Sequence, residues 1–207
     1  KADILETDLH LSADGVFMCI HDETVDRTTN GSGRVAEKTL AELKQLSAWN
    51  GRAGFEEQRI PTLTEVAALL PGDVALALEL KTDRFLEPAV CQQLVGELGQ
   101  AGIRERTVVL SFSLARVQAV QAVAPDLPSG WITVKRMTPL PGPQLLGPFF
   151  PFLLVNPFYV LQAHHRGQLV CPLDLAPNPR VWYYRWLGCD AIMSDDSAAL
   201  ARKLGRL

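Results

Sequence analysis

Two carboxylates placed two residues apart are the first candidates for chemistry in this sequence. Glu6 and Asp8 lie in residues 3–9, where alternating apolar and polar side chains predict a strand. Side chains two apart on a strand point to the same face, and adjacent carboxylates repel each other and lose hydration when they are buried. An inward-facing pair therefore requires a cation, whereas the alternative is that both side chains face solvent.

A second charged pair, Glu79 and Lys81, closes an otherwise apolar run at residues 74–81. Such a run is typical of a strand covered on both faces, and charged residues at the C-terminal end of a parallel strand are typical of a functional site. Glu79 could complete a site of three carboxylates with Glu6 and Asp8, and Lys81 would then face an anionic group beside the metal. These hard oxygen ligands favour Mg²⁺ or Ca²⁺ over zinc. The alternative is an ordinary salt bridge at the strand end.

A third candidate is His21, which follows the extended run at residues 16–20 and precedes Asp22. A histidine at the mouth of a site can transfer a proton near neutral pH. A His-Asp pair in a turn is more often structural, so a catalytic assignment depends on the residues around it.

These residues belong to a chain of alternating strands and helices, which predicts a parallel sheet covered by helices. The predicted strands are 3–9, 16–20, 74–81, 107–112, 131–134, 152–156, 169–173 and 190–194. Capping-box spacings at 39–42 and 62–65 predict the starts of two helices. Further helices are predicted at 88–101, 113–124, 179–187 and from Asp195 or Asp196 onward. We expect the 16–20 run to be a hairpin arm outside seven parallel strands.

Composition limits the class of protein and its partners. The chain has 207 residues, of which 47% are hydrophobic and 21% charged, which predicts a single domain over residues 1–207. Because the 16–20 run is expected to lie outside the parallel strands, we expect a small insertion at about 16–60. The net charge is −3 and no basic cluster occurs, so a nucleic-acid partner is not expected.

The four cysteines form no Cys-x-x-Cys pair, which argues against a zinc site. Free thiols and the absence of a signal-peptide pattern at Lys1 predict a cytoplasmic location.

The segment 139–155 is unusually apolar but is interrupted by prolines. A membrane span needs about 20 consecutive apolar residues, so no transmembrane span is expected here. The pattern favours a proline-rich loop leading into a buried strand. The alternative is an apolar lip beside the site that could contact acyl chains or a membrane surface.

Four linked motifs follow one another in the first part of the chain: Ile4-Leu5-Glu6-Thr7-Asp8-Leu9, Asp14-Gly15, His21-Asp22 and Arg27-Thr28-Thr29-Asn30-Gly31-Ser32-Gly33. Four more occur later: Ile60-Pro61-Thr62-Leu63-Thr64-Glu65-Val66, Leu78-Glu79-Leu80-Lys81, Ser111-Phe112 and Cys189-Asp190-Ala191-Ile192-Met193-Ser194-Asp195. In order and spacing the set closely resembles the glycerophosphodiester phosphodiesterase family. The resemblance covers essentially the whole chain.

The resemblance implies a TIM (β/α)₈ barrel, present here without its first βα unit, since a complete barrel typically needs about 250 residues. It implies metal-dependent hydrolysis of a small-molecule phosphodiester to glycerol 3-phosphate and an alcohol. Glu6, Asp8 and Glu79 would hold one divalent cation, Mg²⁺ or Ca²⁺. Lys81 would bind the substrate, and His21 would be one half of an acid–base pair.

The sequence also departs from the family pattern. The family's first strand ends in a His-Arg-Gly motif whose histidine is proposed to work with the one matching His21, and we expect the encoded protein to extend upstream of Lys1 by a βα unit that contains it. The tripeptide at residues 165–167 has the same letters but lies too late in the chain. Residues 173–176 lack the family's tryptophan, which bears on the preferred alcohol. Two alternatives therefore remain, a lysophospholipase D-like phosphodiesterase and a catalytically inactive barrel that acts as a binding module.

Overall fold

The protein is built on a seven-stranded sheet, seen in a computed structural model that describes residues 2–49 and 51–206. The strands are β1 (Ile4–Leu11), β2 (Phe17–Cys19), β3 (Ala75–Leu80), β4 (Thr107–Ser111), β5 (Ser129–Thr133), β6 (Leu145–Pro148) and β7 (Leu169–Val170). Their order is β2-β1-β3-β4-β5-β6-β7, and every neighbouring pair except β1 with β2 is parallel. The C-terminal ends of the six parallel strands therefore lie along one edge of the sheet.

Helices connect most of these strands in the expected alternation. They are α1 (Leu40–Gln45), α2 (Leu63–Leu69), α3 (Pro88–Gln100), α4 (Leu114–Val123), α5 (Pro151–Val155), α6 (Tyr159–His164), α7 (Val181–Leu187) and α8 (Ser197–Lys203). Both predicted capping boxes are present, because Thr39 and Thr62 each exchange hydrogen bonds with the glutamate three residues on. The described part of the chain thus has the α/β architecture of a (β/α)₈ barrel with fewer than eight parallel strands.

The main core lies between β3 and the helices that cover it. Leu76, Leu78 and Leu80 alternate along β3 and are fully buried in one hydrophobic cluster with residues of α3 and α4. Burying one such side chain typically contributes about 1.5–3 kcal/mol. Since one face of β3 is filled by leucines, Ala77 and Glu79 point to the opposite face.

The 16–20 run forms the predicted hairpin arm. Strand β2 pairs antiparallel with β1, with Leu9 opposite Cys19 and Leu11 opposite Phe17. The reversal passes through Gly15 at φ 81°, a left-handed conformation that glycine adopts without steric cost. The arm therefore runs back along β1 and returns the chain to the level of Asp8.

The prediction of a strand at 152–156 is wrong, because these residues belong to α5 and the strand lies earlier, at Leu145–Pro148. Pro151 occupies the first turn of α5, where its missing N–H is not needed. The amide of Asn156 donates to the carbonyl oxygen of Phe152, as in a helix. A short apolar run has no periodicity that separates strand from helix, which explains the misassignment.

The predicted closing strand at 190–194 is also wrong. The amides of Asp190 and Ala191 both donate to the carbonyl oxygen of Val170, but the described segment continues into no ladder. Strand β7 ends at Val170 rather than extending to Leu173. The described residues therefore contain six parallel strands instead of the expected seven.

Among residues 2–49 and 51–206, no helix has both the length and the apolar character that a membrane span requires. The longest of them, α3, has 13 residues.

Candidate active site

The register of two neighbouring strands brings the candidate carboxylates together. Strands β1 and β3 are parallel partners, with Asp8 directly opposite Glu79. Glu6 precedes Asp8 by two residues and shares its face. Carboxylate oxygens of Glu6, Asp8 and Glu79 all lie within 4.8 Å of one another. Glu79 is only 8% exposed, so it points into the sheet's polar face and not outward into solvent.

Lys81 lies beside this carboxylate cluster, which we define as Glu6, Asp8 and Glu79. Its Nζ atom is 2.8 Å from Oε1 of Glu79 and 3.1 Å from Oδ1 of Asp8. The hydrogen bond and charge of Glu79 raise the pKa of Lys81 even though burial opposes the charged form. The ammonium group therefore remains charged, and its single positive charge offsets part of the negative charge of Asp8 and Glu79. It also lies 6.0 Å from the centre of the Phe112 ring.

The electrostatics of the cluster call for a further cation. Burial raises the pKa of Glu6 to about 7, and the charges of Asp8 and Glu79 add to this effect. Burial also raises the pKa of Glu79, although Lys81 opposes the change. The charge of His21 acts in the opposite direction on both pKa values, and more weakly. Three convergent oxygen donors with excess negative charge fit a divalent cation that prefers oxygen ligands.

His21 follows the hairpin arm at the same edge of the sheet. The amide of Ile20 donates to the carbonyl oxygen of Asp8 over 3.0 Å, and the next residue is His21. Its side chain is 62% exposed, and its Nδ1 atom lies 2.7 Å from Oδ1 of Asp22. A carboxylate only accepts hydrogen bonds, so Nδ1 carries the proton in this contact, and Nε2 is the ring nitrogen that could take part in proton transfer.

Arg27 holds Asp22 in place, a contact that the sequence analysis did not identify. Its Nε and Nη2 atoms donate to the two carboxylate oxygens of Asp22 over 2.5 and 2.9 Å. Hydrogen bonds from Arg27 and then from His21 hold the pKa of Asp22 well below its usual range. The available signal was the spacing His-Asp-x₄-Arg, but a loop has no periodicity from which such a contact can be read.

His10 is a second residue that the sequence analysis missed. It continues the alternation of Glu6 and Asp8 along β1 and is buried, and its Nε2 atom lies 3.3 Å from the carbonyl oxygen of His21. The spacing Glu-x-Asp-x-His could have suggested that all three side chains share one face.

Exposed apolar side chains follow the neighbouring strands at the same edge. These are Phe112 after β4, Val134 and Met137 after β5, Phe149 after β6, and Leu175 after β7. We call them the apolar rim. Within the segment 139–155, α5 additionally exposes Leu154 and Val155. The apolar rim and the carboxylate cluster thus occupy different parts of one edge.

The tripeptide at residues 165–167 lies away from this edge. His165 is the C-cap of α6, Gly167 has φ 69°, and β7 begins only at Leu169, so the tripeptide is on the N-terminal side of the strand. The adjacent His164 instead pairs with Asp190, with Nε2 and Oδ2 2.9 Å apart.

Comparison with known proteins identifies relatives of this chain. The model of the glycerophosphoryl diester phosphodiesterase family matches residues 1–199. A "Glycerophosphodiester phosphodiesterase" of Caldanaerobacter subterraneus is 39% identical over 131 residues, covering 62% of this chain and 54% of the relative. A "Probable glycerophosphodiester phosphodiesterase 1" of Mycobacterium tuberculosis is 30% identical over 192 residues, covering 82% and 70% of the two chains.

A solved structure supports the same relationship. The Oleispira antarctica phosphodiesterase OLEI02445, in complex with the product sn-glycerol-3-phosphate, superimposes with a TM-score of 0.81 at 26% identity, covering 97% of this chain and 84% of that one. The chain spans about half the length of the first curated relatives it matches. By sequence and by structure, the chain belongs to the glycerophosphoryl diester phosphodiesterase family.

Proposed function

We propose that the protein hydrolyses glycerophosphodiesters to glycerol 3-phosphate and an alcohol, using one divalent cation, Mg²⁺ or Ca²⁺, held by Glu6, Asp8 and Glu79. The observation that carries the proposal is the convergence of these three carboxylates within 4.8 Å. The names of the relatives and the product bound to the Oleispira protein support the same substrate class.

Each residue has a distinct task in this reaction. The cation, when bound, would neutralise the phosphodiester and polarise its oxygens. Lys81, at the edge of the cluster, stabilises negative charge that gathers on the phosphoryl oxygens as the P–O bond breaks. His21 gives a proton to the leaving alkoxide or takes one from the attacking hydroxyl through Nε2.

An assay of the full-length protein tests the proposal. Glycerophosphocholine is incubated with the protein, and glycerol 3-phosphate and choline are both measured, with and without a chelator. We expect both products in equal amounts, loss of activity with the chelator, and recovery with Mg²⁺ or Ca²⁺. The control is Glu65→Gln, since this glutamate caps α2 and pairs with Lys44, and it is not part of the carboxylate cluster. Turnover that survives the chelator would contradict the metal requirement. Binding of glycerophosphocholine without its hydrolysis would favour the alternative of a catalytically inactive barrel that acts as a binding module.

The apolar rim favours a second candidate, hydrolysis of lysophospholipids. Leu175 is 93% exposed at the edge that carries the cluster, where it could contact an acyl chain or a membrane surface. Choline release from lysophosphatidylcholine is therefore compared with release from glycerophosphocholine. If lysophospholipids are substrates, Leu175→Ser should lower choline release from lysophosphatidylcholine and leave release from glycerophosphocholine unchanged. The control is Leu69→Ser, a matched change at an exposed leucine on α2, which should lower neither activity.

A cytoplasmic location is supported by the cysteines. Cys19, Cys91, Cys171 and Cys189 are all free thiols, as is usual in a reducing compartment. Alkylation of the unfolded protein, isolated without reductant, should label all four. Protection of any pair would indicate a disulfide and an oxidising compartment.

A further inference from the structure

The buried ring of His10 connects the strand that carries two of the carboxylates to the backbone of His21. His10 is 6% exposed, and its Nε2 atom lies 3.3 Å from the carbonyl oxygen of His21. A carbonyl oxygen only accepts hydrogen bonds, so Nε2 must be the donor. The ring is screened from bulk water, which would otherwise compete for the same oxygen.

The contact between His10 and His21 lies just beyond the end of the β1–β2 ladder. The ladder between β1 and β2 ends at Leu9 and Cys19, and the amide of Ile20 makes one more bond, to the carbonyl oxygen of Asp8. His21 follows at the point where the chain leaves the sheet. The bond from His10 therefore extends the attachment of the arm to β1 by one residue.

The other contacts of His21 do not provide this attachment. Its ring is held by Asp22, and Asp22 is held by Arg27, so these three residues support one another within a single loop. A loop that is ordered internally still needs a fixed position relative to the carboxylates. The His10 bond supplies such a connection, because His10 lies two residues beyond Asp8 on the same strand face.

We propose that His10 is a positioning residue for the hydrolysis proposed above, on which this inference rests. Its ring holds the backbone of His21 so that the imidazole keeps its distance from the carboxylate cluster. Proton transfer is sensitive to such placement, and a displacement of about 1 Å can cost roughly 100-fold in rate. Glu6 and Asp8 bind the cation, whereas His10 sets where the acid–base group stands beside it.

Two substitutions in the full-length protein separate positioning from packing. His10→Leu keeps an apolar volume but has no donor, whereas His10→Gln places an amide donor near the position of Nε2. We expect His10→Leu to lower kcat for glycerophosphocholine by about 10- to 100-fold with little change in KM or in Ca²⁺ affinity. We expect His10→Gln to retain most of the turnover. If His10→Leu does not fold, His10→Asn replaces it, because its amide is too short to reach the oxygen.

Equal loss in the Leu and Gln variants, in step with loss of thermal stability, would overturn the proposal and leave a packing role only. Full activity of His10→Leu would overturn it as well. The inference is separable from the proposed function through NMR of ¹⁵N-labelled protein. Even without turnover in the wild type, the His21 ring and Asp22 amide signals should shift in His10→Leu and remain in place in His10→Gln. Identical spectra for all three proteins would rule out the positioning role.

Discussion

The ammonium group of Lys81 lies 2.8 Å from Oε1 of Glu79, so it occupies one side of the carboxylate cluster that we propose for the metal. It also contacts Asp8 over 3.1 Å. The lysine therefore partly neutralises two of the proposed metal ligands and, at the same time, adds positive charge beside the proposed phosphate site.

This double contact predicts opposite effects of Lys81→Met on metal binding and on catalysis. Affinity for Ca²⁺ should rise or stay constant, because a competing cation is removed. The value of kcat/KM should fall by about 100- to 1,000-fold, the usual cost of removing one electrostatic donor to the transition state. Calorimetric titration and the choline assay measure the two quantities. Lys44→Met, which removes an ion pair with Glu65, is the matched control. If Lys81→Met lost Ca²⁺ affinity together with kcat/KM, Lys81 would not be competing with the metal for the carboxylates.

Removing His21 and removing Glu79 should have different consequences. His21→Ala should lower kcat steeply, by about 10²–10⁴-fold, because a general acid–base is lost. Ca²⁺ affinity should remain near that of the wild type, since His21 is not a proposed ligand. Glu79→Ala should weaken metal binding itself. Near-normal turnover in His21→Ala, or a loss of metal as large as that of Glu79→Ala, would show that the two roles are assigned wrongly.

The raised pKa of Glu6 predicts a pH dependence in the metal-free protein. Burial, followed by the charges of Asp8 and Glu79, raises the pKa from 4.5 to about 7, so the folded state binds more protons than the unfolded state between these values. Stability against urea should therefore decrease as the pH rises from about 4.5 to 7. Added Ca²⁺ should displace the proton and reverse the trend.

Calorimetry in buffers of different ionisation enthalpy measures this proton release directly. At pH 6 the wild type should release a proton on binding Ca²⁺, and Glu6→Gln should release less. Equal release by both proteins would assign the raised pKa to another group.

The contact between Arg27 and Asp22 predicts a loss of activity that leaves the fold intact. Arg27→Met frees Asp22 and so loosens the hydrogen bond to Nδ1 of His21. We expect kcat to fall by about tenfold, a part of the contribution of a well-oriented acid–base group. Arg34→Met removes another exposed ion pair of the same loop, with Glu23, and should have little effect. Equal losses from both substitutions would indicate general disorder of the loop.

The candidate residues could be predicted from the sequence because their spacing is local. Glu6 and Asp8, like Glu79 and Lys81, stand two apart on a strand, and this alternation alone places each pair on one face. The capping boxes at Thr39 and Thr62 are equally local.

The strand errors have the opposite origin. Residues 152–156 are apolar but too few to show a period. In the segment 190–194, the amides of Asp190 and Ala191 donate to the carbonyl oxygen of Val170, but no ladder continues from there among the described residues. Whether such a segment forms a strand depends on whether another strand lies beside it and can share its backbone hydrogen bonds. The local sequence does not determine which strand that is.

Tertiary structure alone decided how the parts of the site meet. The parallel register sets Asp8 opposite Glu79 from a distant part of the chain, and the hairpin arm places the carbonyl oxygen of His21 beside the ring of His10. Local sequence determines which face of a strand a side chain occupies, because the backbone alternates every residue. Long-range packing determines which strand faces meet. The leucines of β3 are buried in the core on one side of the sheet, and Glu79 therefore faces the carboxylates of β1 on the other side.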